Sequence, residues 1–248
     1  MTNNQDTNPK ASVLAIGNEI LTGKTLDANS NWIAQKLSDH GIRLCEIRVI
    51  PDDEKVIISS LKELKAHYDF VVTTGGIGPT HDDITAKSIA KCFYTNLEVN
   101  KQAYECLVQY YGSEDQMNTG RKKMAMIPQG AKLIPNPVTA APGFHIGNVY
   151  VLAGVPKIVK AMLDYVLEKE KPGMPYLIKQ ILSTYPESCI SDALSSIQNK
   201  YEDVEIGSYP AFDNPDYSVK IIIRGLNEKS LSKAAKDVRR ALSEIEKE

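Results

Sequence analysis

The run TTGGIGPTHDDIT at residues 73–85 gathers residue types that bind and polarise a phosphate. Gly75, Gly76 and Gly78 carry no Cβ, so their backbone N–H groups can converge closely on an anion. Thr74 and Thr80 supply hydroxyl donors, and Pro79 stiffens the turn. A helix beginning near Asp83 brings its positive N-terminal end to the same place. His81, Asp82 and Asp83 add hard, acceptor-rich groups. Two carboxylates beside bound phosphate need a divalent cation, or a proton, between them. The chemistry is then a metal-assisted phosphoryl reaction, the cation polarising a bridging phosphate and activating a water. His81 reads equally as a hydrogen-bond partner or a ligand, and Asp82 or Asp83 also reads as an ordinary helix cap.

A second loop, GNEILTGKT at residues 17–25, follows another strand-like run. It is not a P-loop, because five residues separate its glycines where that motif requires four. Gly76-Ile77-Gly78 likewise lacks the third glycine of a dinucleotide fingerprint. In a parallel sheet, however, both loops leave carboxyl ends of strands, which places Glu19 and Asp27 near the glycine loop. Taken alone, each reads as a surface acid. Lys24 can offset phosphate charge, and reads equally as a solvated lysine.

These loops need elements to position them. Residues 12–16 form a buried strand ending at Gly17. Asn29 or Ser30 caps a helix carrying Trp32, Ile33 and Leu37, which Gly41 stops. Residues 42–50 are a second strand, and Pro51-Asp52-Asp53 punctuates and caps a helix bearing Val56, Ile57, Leu61 and Leu64. Residues 70–74 (FVVTT) are apolar enough for a strand buried on both faces, and a helix follows through Ala86, Ile89 and Ala90. This alternation is the signature of an α/β fold with a mainly parallel sheet covered on both faces. A helix follows Asn100, a hairpin turns around Gly147-Asn148, and Pro156 opens another helix, where its missing N–H costs nothing.

The composition shifts at residues 170–175 (EKPGMP). Beyond it the order strand, helix, strand, strand, helix (176–185, 191–201, 204–209, 219–224, 231–245) makes a small α/β sandwich with an antiparallel sheet. The expected organisation is a disordered tail over 1–10, a main domain over 11–170 and a small domain over 176–248. The basic run at 233–240 reads as the solvated face of the last helix.

With 42% hydrophobic and 24% charged residues, the 248-residue chain is ordinary for a globular protein. Its 29 Lys+Arg against 31 Asp+Glu leave no global field for nucleic acid or an anionic membrane, so neither is an expected partner. No apolar run approaches the roughly 20 residues of a membrane span, and the polar N-terminus lacks a signal-peptide core. Cys45, Cys92, Cys106 and Cys189 show no C-x-x-C spacing. They read as small core thiols of a reduced, cytoplasmic protein.

The blocks GNEILTGKTLDANS, TTGGIGPTHDDIT, MIPQGAKLIPNPVTAAPGF and LAGVPKIVKAM, in this order, resemble the molybdopterin-binding-fold family. Within it the likeness is greatest to the N-terminal part of CinA-type competence/damage-inducible proteins and to the N-terminal domain of FAD synthases. The tail, with IGSYP at 206–210, is similar to the small domain that follows in these proteins. The resemblance implies a three-layer αβα fold and a homo-oligomer. In several members it implies a pyrophosphatase using Mg, Co or Mn on ADP-ribose or FAD-like dinucleotides. In others the same cleft binds molybdopterin and supports cofactor assembly, and a noncatalytic nucleotide-binding module is a third reading. By motif, Glu19, Asp27 and Asn29 belong to the first acidic loop. Gly75, Gly76, Gly78, Thr80, His81, Asp82 and Asp83 form the second. Asn136, Pro137, Ala141 and Pro142 fall in the third, and Gly154 and Pro156 in the fourth. The resemblance makes Asp82, Asp83 and Glu19 the metal-holding and catalytic acids. Two positions depart from it: Asn18 stands where many relatives carry Asp, and Ile158 where CinA-type members usually carry Glu.

Overall fold

The computed structural model describes residues 8–212 and 214–245. They divide into two compact units, Asn8–Gly173 and the segment from Met174 onward. In the first, the chain runs β1 (Lys10–Ile16), α1 (Asn18–Leu21), α2 (Ala28–Asp39), β2 (Arg43–Ile50), α3 (Glu54–His67), β3 (Phe70–Thr74), α4 (Thr85–Cys92), β4 (Leu97–Val99), α5 (Lys101–Tyr111), a 3-10 turn at Glu114–Gln116, α6 (Thr119–Lys123), β5 (Met126–Pro128), β6 (Lys132–Ile134), β7 (Gly143–Ile146), β8 (Val149–Leu152) and α7 (Pro156–Lys169). Six strands form one sheet in the order β2-β1-β3-β8-β7-β6, and β4 pairs with β5 apart from it. The pairs β2–β1, β1–β3 and β3–β8 are parallel; β8–β7 and β7–β6 are antiparallel. The turn at Gly147 and Asn148 joins β7 to β8, as the hairpin spacing predicts.

Period-two alternation splits β1 between two cores. Leu14 and Ile16 pack with Ile57, Leu61, Ile89 and Leu107 from α3, α4 and α5 on one face. Ala11 and Val13 pack with Ile33, Leu37, Val159 and Leu163 from α2 and α7 on the other. The result is a three-layer αβα arrangement. Pro156 stands in the first turn of α7, where no intrahelical N–H is needed. The tail expected over 1–10 falls mainly on residues 1–7, outside those described; Asn8 is buried and β1 already runs from Lys10.

The second unit holds β9 (Leu177–Ser183), α8 (Glu187–Lys200), β10 (Val204–Pro210), β11 (Val219–Gly225) and α9 (Glu228–Ile245). Its antiparallel sheet has the order β10-β11-β9 and packs through Ile181, Ile221 and Ile223 against Ile190 of α8 and Leu231, Ala234 and Val238 of α9. Lys233, Lys236, Arg239 and Arg240 lie on the exposed side of α9. Among the described residues no helix is long and apolar enough to cross a membrane.

Three of the four cysteines are not core residues. Only Cys92 is buried; Cys45, Cys106 and Cys189 are exposed. Cys45 lies on β2, an edge strand with alternating burial, on the side away from the core.

Candidate functional site

The strand order decides where the site lies. From β1 the chain crosses to β2 on one side, then returns past β1 to β3 on the other. The helix after β1 therefore packs on one face of the sheet and the helix after β3 on the opposite face. A crevice opens between the carboxyl ends of β1 and β3, the place where open α/β sheets bind ligands. It is a cleft of about 560 Å³. Five segments wall it, contributing Glu19, Asp52, the 75–80 turn with Asp82 and Asp83, Asn136 with Ala141, and Gly154 with Pro156.

The glycine turn shows why its residues are small. Gly75 has φ +99°, and a Cβ there would stand 2.1 Å from the Ile16 carbonyl oxygen at the end of β1. Gly76 has φ +67°, and its Cβ would stand 2.1 Å from the Thr85 hydroxyl. Both positions demand glycine for conformation and for space. The Gly75 N–H donates to Leu152 O at 3.3 Å, joining the turn to β8. The N–H groups of Gly76, Ile77 and Gly78 have no partner among the described residues, and all three residues line the cleft.

Asp83 completes the turn. Its Oδ2 accepts the Thr80 N–H at 2.8 Å and the Thr80 hydroxyl at 2.5 Å. It does not cap the helix: α4 starts at Thr85, with Ile84 at the cap and no side-chain cap bond. Asp82 is held below the usual carboxylate range, first by the nearby Thr80 hydroxyl, with His81 and Lys123 adding positive charge.

In the sequence, Asp52 and Asp53 together punctuate the start of α3. The cap is Asp53, whose Oδ1 accepts from Lys55 N and Val56 N. Asp52 points elsewhere: its Oδ2 accepts the Asn18 N–H at 3.0 Å and its side chain lines the cleft. Burial pushes its carboxyl up against the pull of the Asn18 bond, and the charges of Glu19, Asp82 and Asp83 push it further. Two adjacent aspartates after a strand are the sequence signal, since one cap needs only one of them. The second missed residue is Lys123. Asn118 caps the short α6 through Arg121 N, and Lys123 at its end donates from Nζ to the Thr80 carbonyl.

Several expected residues make contacts within the protein. Asp27 is the N-cap of α2, accepting Ser30 N at 3.0 Å, so neither Asn29 nor Ser30 holds that position. Asn29 donates to Gly154 O at 2.7 Å, tying the first loop to the fourth. The amide of Asn136 is fully engaged within its own loop, by Thr139 Oγ1, Ala141 O, Val138 N and Thr139 N. Thr74 is buried, while Lys24 and His81 are exposed; none of the three lines the cleft. Ile158, a core residue, gives the cleft an apolar wall.

Glu19, Asp52, Asp82 and Asp83 form a hard-oxygen set. Among the described residues no three His, Cys, Asp or Glu side chains converge as a preformed metal site. Asp83 Oδ2 and Asp52 Oδ2 are already engaged within the protein. This arrangement suits a cation such as Mg²⁺, which is held by one or two carboxylates together with substrate phosphates and water.

The raised Asp52 carboxyl has a consequence for stability. The folded protein binds this proton more tightly than the unfolded chain, so the ionised group works against folding as pH rises above about 3.9. Asp52→Asn keeps an acceptor for Asn18 N and removes the charge. It is expected to raise the melting temperature at pH 7, with the gain shrinking toward pH 4. A lowered melting temperature at pH 7 would show that the carboxylate supports the fold.

Residues 12–177 match the family model described as "Probable molybdopterin binding domain", and residues 175–247 match "FAD synthase, middle domain". A protein of Archaeoglobus fulgidus is 34% identical over 232 residues, covering 94% of this chain and 97% of its own. A protein of Saccharolobus islandicus is 34% identical over 210 residues, covering 81% of this chain and 80% of its own. Among solved structures, the crystal structure of the CinA protein of unknown function from Thermoplasma acidophilum is similar. It shows 36% identity and a TM-score of 0.61, and covers 65% of this chain and 97% of that one.

Proposed function

Because this chain belongs to the molybdopterin-binding domain family, we propose that its cleft binds a phosphate-bearing ligand and acts as a divalent-metal-dependent pyrophosphatase. The substrate class is a nucleoside diphosphate derivative such as ADP-ribose or FAD. One observation carries the reading: the unpartnered N–H groups of Gly76, Ile77 and Gly78 share a cleft with four carboxylates. The amides fit the non-bridging oxygens of a phosphate. The carboxylates would repel that same phosphate unless a cation stood between, and a bound cation would supply charge neutralisation at the bridging phosphate.

The protein's own groups divide the remaining work. Glu19 and Asp82 would hold the cation with Asp83, and the Thr80 hydroxyl beside Asp82 keeps that carboxyl in its charged form. Asp83 also fixes Thr80 and hence the turn. Asp52, whose carboxyl is shifted up, is suited to take the proton from the attacking water. The water oxygen then bonds to one phosphorus, the bridging P–O bond breaks, and the departing phosphate leaves with the electron pair. Lys123 sets positive charge at the Thr80 carbonyl beside the turn.

Incubation of the full chain with Mg²⁺ or Co²⁺ and ADP-ribose is expected to yield AMP and ribose 5-phosphate in equal amounts. Absence of turnover across dinucleotides and metals, with the fold intact, would sink the hydrolase reading. The family match over residues 12–177 favours a second reading, in which the cleft binds molybdopterin without hydrolysis. Tight binding of molybdopterin by a protein inactive on every dinucleotide would put that reading first.

A further inference from the structure

On α5, Gln102, Cys106, Gln109 and Tyr110 fall at positions i, i+4, i+7 and i+8, so they share one stripe of the helix. Opposite them runs the loop between β6 and β7, rich in proline. The two flank an open cavity of about 550 Å³, well within the size range of small-molecule sites. Asn136 and Pro142 line both this cavity and the pyrophosphate cleft, so the loop is a wall common to the two. The wall is held in shape: Asn136 makes four hydrogen bonds inside it, and Ala140 takes a left-handed conformation at φ +58°.

The chemistry of the two chambers differs. The cleft carries four carboxylates, whereas no aspartate, glutamate, lysine or arginine lines the second cavity. Tyr110 is half exposed, and its ring is braced edge-on against Tyr111 at 5.1 Å. An exposed, braced aromatic ring is a stacking platform for a planar heterocycle. The Gln102 and Gln109 amides each offer a donor and an acceptor, which matches the mixed edge of a nucleobase. A phosphate finds no countercharge there, and a neutral ring does not need one.

We propose that this second cavity is the base subsite: the pyrophosphate lies at the glycine turn and the planar base crosses the Asn136–Pro142 wall to stack on Tyr110. This rests on the pyrophosphate reading of the cleft, and assigns its substrate to nucleoside diphosphate derivatives with a planar base.

Cys106 makes the test direct, since it lines the cavity and is exposed. With the other exposed thiols removed (Cys45→Ser, Cys189→Ser), the rate of Cys106 alkylation is followed in the full chain. ADP-ribose is expected to slow it about tenfold or more at saturation, and inorganic pyrophosphate to leave it unchanged. Tyr110→Ala is expected to weaken ADP-ribose binding about tenfold, leave pyrophosphate affinity unchanged, and be rescued by Tyr110→Trp. If ADP-ribose competes with pyrophosphate yet alters neither Cys106 reactivity nor its own affinity for Tyr110→Ala, the base lies elsewhere and only the cleft reading stands. If neither ligand binds, both readings fall. Protection of Cys106 that appears only at high protein concentration, without ligand, assigns the cavity to a second copy of the chain and overturns the proposal.

Discussion

Replacement of Asp83 by alanine is expected to lower pyrophosphatase turnover by about 10²–10³-fold, the scale seen when one positioned charge-stabilising group is removed. Asp83 does two things at once. Its Oδ2 binds both the N–H and the hydroxyl of Thr80, which sets the exit of the glycine turn. Its carboxylate also stands at the cleft wall against Gly78, where a Cβ would come within 2.8 Å of Oδ2. Charge-assisted bonds of this kind contribute about 1.5–3 kcal/mol each, so the turn also loosens. Asp83→Asn separates the two effects. The amide oxygen can still accept from Thr80, so pyrophosphate binding should survive while turnover falls. The measurements are kcat with ADP-ribose and pyrophosphate affinity by calorimetry. Wild-type turnover in Asp83→Ala would remove Asp83 from the mechanism.

Gly75→Ala is expected to cost roughly 3–5 kcal/mol of stability, on the order of 10 °C in melting temperature, and to abolish anion binding. The backbone conformation alone, at φ +99°, costs an alanine about 1–2 kcal/mol. The larger part is steric. The new methyl would lie 2.1 Å from Ile16 O, and that atom is backbone at the end of a central strand. Relief requires β1 and β3 to part at the floor of the cleft. Gly23→Ala is the control: it has φ +71° but nothing within 4 Å of the added Cβ, so about 1 kcal/mol is expected. Equal melting temperatures for the two variants, from thermal denaturation, would show that the contact with β1 is not what demands glycine.

Much of the scaffold was legible before any coordinates because its signals are local. FVVTT announces a strand buried on both faces, Gly147-Asn148 a hairpin, and Pro156 a helix start, and each is where the residues place it. Capping was less legible. Asp27, not Asn29 or Ser30, begins α2, because any of several adjacent polar residues can cap and the choice depends on where the preceding loop releases the chain. The cysteines misled for a similar reason: composition ranks a thiol as a core residue, but which side of an edge strand or helix it occupies depends on register.

For the site, the amino-acid sequence by itself determined that a glycine-rich turn with adjacent aspartates stands at a strand-to-helix junction of a mainly parallel sheet. Glycine spacing and strand burial are encoded over a dozen residues. Only the tertiary structure decided which distant groups face that turn. The order β2-β1-β3-β8 brings Asp52 from the end of β2 into the cleft and ties Asn29 to Gly154, while Lys123 rather than Lys24 reaches the turn. Those neighbours lie 30 or more residues from it or from each other in most cases, and nothing local to them records which strand ends share one crevice.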